Sequence, residues 1–90
     1  MIVLSYDIAD DRLRAHFAKY ITKFGHRIQY SVYQIDNSNT MLDNIISYIH
    51  GHFEKKFGQS DSVYIFKLSN TCEVVKMGYA ENEDSELVIL

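Results

Sequence analysis

Two periodicities meet within the first quarter of the chain, and their meeting constrains the fold more than any other feature. Residues 1–6 are rich in β-formers and alternate with a period of two: Ile2, Leu4 and Tyr6 on one face, Val3, Ser5 and Asp7 on the other. The first of these faces reads as core. Just beyond Asp7 the period changes, and Leu13, Phe17, Tyr20, Ile21 and Phe24 recur at the spacing of an amphipathic helix. Asp10 is placed to cap that helix, and Asp11 sits at the positive end of its dipole. Gly25 is the natural residue just past its end. A chain that begins this way must lay a helix against a sheet.

The remaining elements extend the same plan. Residues 26–36 read as extended, with Ile28, Tyr30 and Val32 alternating with Gln29, Ser31 and Tyr33. No Gly, Asn or Pro interrupts them, which predicts one long strand, kinked near Tyr30 and Ser31, rather than a hairpin. A loop at residues 37–39 leads to a second helix. Thr40 with Asp43 fits its capping box, and Leu42, Ile45, Ile46, Ile49, Phe53 and Phe57 form its apolar face. Gly51 within it costs up to about 1 kcal/mol relative to Ala, which predicts local weakness there. Gly58 ends it. Residues 62–68 and 72–77 read as two strands joined at Ser69 and Asn70.

An acidic segment then leads to Leu87, Val88, Ile89 and Leu90, an apolar run suited to adding a strand to an open sheet edge, a partner subunit's edge being the tidiest. The expected architecture is α+β and ferredoxin-like: a small, mainly antiparallel sheet with two helices on one face. Residues 1–80 form the domain, and residues 81–90 an acidic linker and dimer-exchange strand. The uncovered sheet face is assigned Val3, Ser5, Asp7 and Tyr33, too apolar at its centre to stay wet. Packing two such faces about a two-fold axis would bury it and bring two copies of Asp7 together.

Composition excludes several classes. Ninety residues make one small domain, and 47% apolar content with seven Tyr and five Phe excludes disorder. No apolar run approaches the roughly 20 residues of a membrane span, and no signal pattern opens the chain, so the expected compartment is the cytoplasm with no membrane partner. Cys72 is the one cysteine, which excludes an internal disulfide framework, and no Cys/His spacing resembles a zinc site. The net charge of −3 hides a split: Arg12, Arg14, Lys19, Lys23 and Arg27 have no acid among them, while residues 81–86 hold four acids and no base. A locally basic face can bind phosphates on an acidic chain.

Asp7 has two readings from spacing. It is a strand-end carboxylate satisfied by nearby backbone N–H groups, or a hard-cation ligand. Magnesium keeps several waters and needs only one or two carboxylates, so a two-fold pair of Asp7 would suffice to activate water and neutralise a phosphodiester. Asp10 and Asp11 read as caps. The stripe Arg12, His16, Lys19 and Lys23 reads as a solvated face or, lacking interspersed acids, as a sequence-independent contact to nucleic-acid backbone, with Arg14 and Arg27 nearby. His50 and His52, two apart on a helix, point to different faces and read as surface residues. Ser31 has no neighbouring base to activate it, and Cys72 reads as packing.

With these stretches placed, the chain resembles the CRISPR-associated Cas2 family, the small partner of the spacer integrase Cas1. The matching residues are Ser5-Tyr6-Asp7-Ile8 with Asp10-Asp11-Arg12-Leu13-Arg14, then Gly25-His26-Arg27-Ile28-Gln29-Tyr30-Ser31-Val32-Tyr33, and Asp61-Ser62-Val63-Tyr64-Ile65. The resemblance implies a ferredoxin-like homodimer whose terminal strand crosses to the partner. It implies that Asp7 is the metal-binding aspartate, catalytic together with Tyr6, and that the metal is Mg²⁺ or another divalent cation such as Mn²⁺. Arg14, Arg27 and Tyr33 match positions near the family's site, and His16 stands where some members carry a second helix arginine. The implied activity is endonucleolytic, on RNA and in some members double-stranded DNA, combined with a scaffold role for Cas1 during spacer acquisition. A non-enzymatic scaffold and a VapD-type toxin ribonuclease are the alternatives.

Overall fold

The alternation at the N-terminus becomes β1 (Ile2–Asp7), with Ile2, Leu4 and Tyr6 buried as expected. The structure is a computed structural model describing residues 1–36 and 38–78. The acidic segment and terminal strand expected at residues 81–90, and the boundary placed at residue 80, lie outside the described residues.

Asp10 caps α1 (Asp11–Ile21) by accepting a hydrogen bond from the Leu13 N–H at 2.7 Å. Leu13, Phe17 and Ile21 are buried, and Arg12, His16 and Lys19 are exposed, as the 3.6-residue period requires; Lys23, expected on the same stripe, is exposed in the turn beyond the helix. The helix stops at Thr22, two residues earlier than Gly25 as the residue just past its end would place it. Gly25 instead opens β2 (Gly25–Gln29), where a Cβ would stand 1.9 Å from the Gln34 carbonyl oxygen. Close backbone approach, not a helix cap, requires the glycine.

Residues 26–36 do not form the single kinked strand their composition predicts. They form a hairpin of β2 and β3 (Val32–Ile35), turning at Tyr30 and Ser31, with a register shift between Arg27 and Gln29. Ser31 supplies the reversal with φ of +68°, a conformation costing a non-glycine residue roughly 1–2 kcal/mol. Its carbonyl accepts a 3.0 Å hydrogen bond from the Tyr6 N–H, so β1 offsets the strain that local sequence would have avoided.

The second helix, α2 (Asn39–Tyr48), begins earlier than the Thr40–Asp43 box predicts. Ser38 is the cap, accepting from the Met41 N–H at 3.3 Å. The weakness expected at Gly51 takes the form of a π-helical turn (Ile49–Phe53), followed by a 3₁₀ turn (Glu54–Lys56). The altered pitch keeps Ile49 and Phe53 in the core together with Leu42 and Ile45.

The final strand, β4 (Ser62–Lys67), pairs with β1. Beyond it the expected hairpin partner is missing among the described residues: residues 72–77 carry only an isolated bridge at Val74, and Val75 and Met77 are exposed. The sheet order is β2-β3-β1-β4 with every neighbouring pair antiparallel, the ferredoxin-like arrangement. Both helices cover one face, and Phe17, Leu4, Ile21, Ile35, Leu42 and Ile45 are the most completely buried side chains.

Candidate functional site

Asp7 closes β1, opposite Ser62 of β4, and its side chain is exposed. It makes no side-chain hydrogen bond or ion pair among the described residues. The local roles that spacing offered to Asp7 belong to other carboxylates. Asp61 accepts from the Ala9 N–H at 2.9 Å and from the Gly58 N–H at 2.8 Å. These two N–H groups, Ala9 first, hold the Asp61 carboxyl below its ordinary value. Asp61 had no role in the sequence reading beyond its place in the matching stretch. An aspartate three residues after a glycine, just before a strand, was the available signal. Asp7 is thus left with uncommitted oxygens on the rim of the uncovered sheet face. Its oxygen donors suit a hard cation, and among the described residues no three metal-ligating side chains cluster.

Strand geometry separates Asp7 from Tyr6, because consecutive side chains point to opposite faces. Tyr6 lies under α1, its ring 4.9 Å from Phe17 and stacked at 6.2 Å on Tyr33. Burial, helped by the neighbouring Tyr33, pushes the Tyr6 phenol up to about 12, so at neutral pH it is a proton donor and not a phenolate.

Tyr33 pairs with Leu4 and is buried on the helix side, which corrects its assignment to the uncovered face. The pairing register, invisible while residues 26–36 read as one strand, sets that side. Val32 and Gln34 take the uncovered face instead, across from Ser5 and Val3. Arg27 pairs with Tyr33 on the edge strand, exposed, and its charge acts against the rise at Tyr6.

Arg14 does not reach outward. Its guanidinium donates to the Ile8 carbonyl at 2.9 Å and the Ala9 carbonyl at 3.3 Å, and pairs with Asp11, the main reason its pKa is raised. Arg14 and Asp61 thereby brace the loop between Asp7 and α1 from two sides. Arg12, His16 and Lys19 lie exposed on α1. His50 and His52 do point apart: His50 meets Glu54 at 2.9 Å, whereas His52 stacks on Tyr48. The sheet therefore divides the expected residues. Tyr6, Tyr33 and Arg27 share the helix side, and Asp7 stands on the other.

The uncovered face is apolar. Tyr64 and Phe66 of β4 pair with Ser5 and Val3, stack at 6.1 Å, and are 61% and 46% exposed. The Gln34 Oε1 atom is buried without a hydrogen-bond partner. No helix of the described residues is long and apolar enough to cross a membrane.

The sequence profile of the family described as CRISPR associated protein Cas2 matches residues 1–75. A CRISPR-associated endoribonuclease Cas2 of Rhodospirillum rubrum is 28% identical over 71 residues, covering 79% of this chain but 55% of the relative's length. One from Synechocystis sp. is 29% identical over 69 residues, covering 77% of this chain and 72% of that protein. Among solved structures, a hypothetical protein from Thermus thermophilus superposes with a TM-score of 0.70 at 23% identity, covering 91% of this chain and 95% of that one. Streptococcus pyogenes Cas2 superposes at 0.64, again at 23% identity, covering 79% and 89%. These likenesses concern the fold, and the match of residues 1–75 takes in β1, the rim at Asp7 and all of β4. The chain belongs to the CRISPR-associated Cas2 family.

Proposed function

We propose that the chain is an endonuclease acting on phosphodiester bonds in RNA, or in double-stranded DNA, as a homodimer that places two Asp7 carboxylates at one centre. The observation that carries this reading is the uncommitted Asp7 carboxylate on the rim of an apolar sheet face. Val3, Val32, Tyr64 and Phe66 need cover there, and the orphaned Gln34 oxygen needs a donor. Packing two such faces about a two-fold axis meets both needs and pairs Asp7 with its copy. Names of relatives as endoribonucleases support the reaction class.

A bound Mg²⁺ or Mn²⁺ would supply Lewis-acid activation of water and charge neutralisation at phosphate. The chain's part is to hold that ion on Asp7 and to keep the oxygens free. Asp61 does the second by accepting the Ala9 N–H that Asp7 would otherwise meet, while Arg14 holds the same loop through the Ile8 and Ala9 carbonyls. Tyr6 positions the strand end from the opposite face through its contacts with Phe17 and Tyr33. The test is cleavage of single-stranded RNA and duplex DNA by purified protein and by Asp7→Ala, with the oligomeric state measured alongside. Loss of cleavage in an intact dimer is expected. Cleavage that survives the substitution refutes the mechanism.

A second reading is a non-enzymatic scaffold holding DNA for the Cas1 integrase. It is favoured by the placement of Tyr6 on the face opposite Asp7, which separates the two expected catalytic groups. It predicts that Asp7→Ala leaves spacer acquisition intact while removal of charge at Arg12 and Lys19 impairs it.

A further inference from the structure

The helical layer, on the far side of the sheet from Asp7, carries a groove of about 300 Å³ between α1 and the end of α2. Lys19 of α1, Lys23 just past its end and Lys56 of the 3₁₀ turn converge on it, His16 joins them, and no carboxylate lines it. Acids outnumber Lys and Arg twelve to nine in this chain, so such a cluster is a local exception. None of the three lysines has an ion pair among the described residues. Glu54, the nearest acid in sequence to Lys56, is turned away to His50 in a different hollow.

The wall of the groove is a ladder of rings. Tyr20 stacks on Tyr48 at 4.4 Å and 13°, and Tyr48 stacks on His52 at 4.1 Å and 23°. The π-helical turn brings His52 onto Tyr48, and the imidazole ends the ladder exposed. Three cations beside a stack with an open end match the requirements of a single nucleotide unit: phosphate on the charges, base on the rings. An acidic peptide would use the lysines and leave the rings idle. A duplex would bury its bases from them.

We propose that this groove binds an unpaired nucleotide of a single-stranded nucleic acid, its base extending the Tyr20–Tyr48–His52 stack and its phosphate held by Lys19, Lys23 and Lys56. A strand suits the site better than a free nucleotide because the cationic track continues. Arg12, His16 and Lys56 line the adjoining hollow, with Asp10 as its one acid. The groove is separate from the Asp7 centre and stands whether or not Asp7 holds a metal.

The test is fluorescence anisotropy of the full chain with a labelled single strand of about ten nucleotides, in chelator and without divalent cation. A duplex of the same length and a nucleoside monophosphate serve as competitors. Single-strand binding that quenches tyrosine emission is expected. His52→Ala, an exposed position that leaves the core untouched, should weaken it roughly tenfold, and Tyr48→Phe should retain it. Each lysine changed to glutamine should lower the salt slope by about 0.7.

Absence of single-strand binding overturns the proposal, as does wild-type affinity in a His52→Ala/Lys56→Gln double variant. Equal affinity for duplex refutes the stacking, and a monophosphate competing as well as the strand refutes the polymer. Asp7→Ala should bind normally; loss of binding there would move the strand to the Asp7 centre and overturn the groove, whereas failure of the nuclease reading shows only in the cleavage assay.

Discussion

Replacing Gly25 by alanine tests the sheet that carries the candidate site. The added Cβ would lie 1.9 Å from the Gln34 carbonyl oxygen and 2.9 Å from both the Gln34 carbonyl carbon and the Ile35 Cα. All three are backbone atoms, so no flexible side chain can swing aside. Relief requires β2 to move away from β3, loosening the pairing of Gly25 with Ile35 and of His26 with Gln34. Overpacking of this kind costs about 1–3 kcal/mol. A ladder hydrogen bond lost with it adds about 1 kcal/mol.

A total near 3 kcal/mol lowers the melting temperature of a domain this size by roughly 12–24 °C. The assay is thermal unfolding followed by far-ultraviolet circular dichroism. Gly51→Ala is the control, because nothing lies within 4 Å of a Cβ there. The same added methyl should be neutral or stabilise by up to about 1 kcal/mol. If the two variants melt together, close approach at Gly25 is not what selects glycine, and the register of β2 on β3 is wrong.

Three further outcomes follow from the same geometry. Ser38→Ala should cost about 1 kcal/mol as a lost helix cap, while Thr40→Ala should fall within about 0.5 kcal/mol of wild type; the reverse order in chemical denaturation would restore the Thr40 cap. The Tyr6 phenol, raised to about 12 in the folded chain from 10.0, contributes stability that is present below pH 10 and lost as pH rises toward 12. Tyr6→Phe should flatten that alkaline loss, and tyrosinate absorbance in the folded protein should show one late-titrating tyrosine missing from the variant. Asp61 is held below 3.8, so its contribution is present above that pH and disappears as pH falls through its folded value. Acid unfolding of Asp61→Asn should lack that component, and an unchanged acid profile would show that the bonds to Ala9 and Gly58 carry no stability.

The elements that could be read from the chain were those governed by near neighbours. The 3.6-residue period from Leu13 to Ile21, the period of two in β1 and the Asp10 cap each depend on contacts within a few positions, and each stands in the structure. The same local reading failed where a distant partner decided. The hairpin at Ser31 exists because the Tyr6 N–H meets its carbonyl, and the side of the sheet taken by Tyr33 follows from its register on Leu4.

The candidate site shows the same division. Its residue types were visible in order along the chain, from Tyr6 and Asp7 through Arg14 to Arg27. Their grouping was not. Asp7 keeps its oxygens free because Asp61, 52 residues away from Ala9, takes the N–H that a strand-end aspartate would otherwise accept. Alternation could place Asp7 and Tyr6 on opposite faces from the sequence, since it needs only the strand's own period. Which of those faces the helices cover, which charges the loops consume, and which lysines gather beside Tyr48 depend on elements folding back upon one another, and only the tertiary structure decided them.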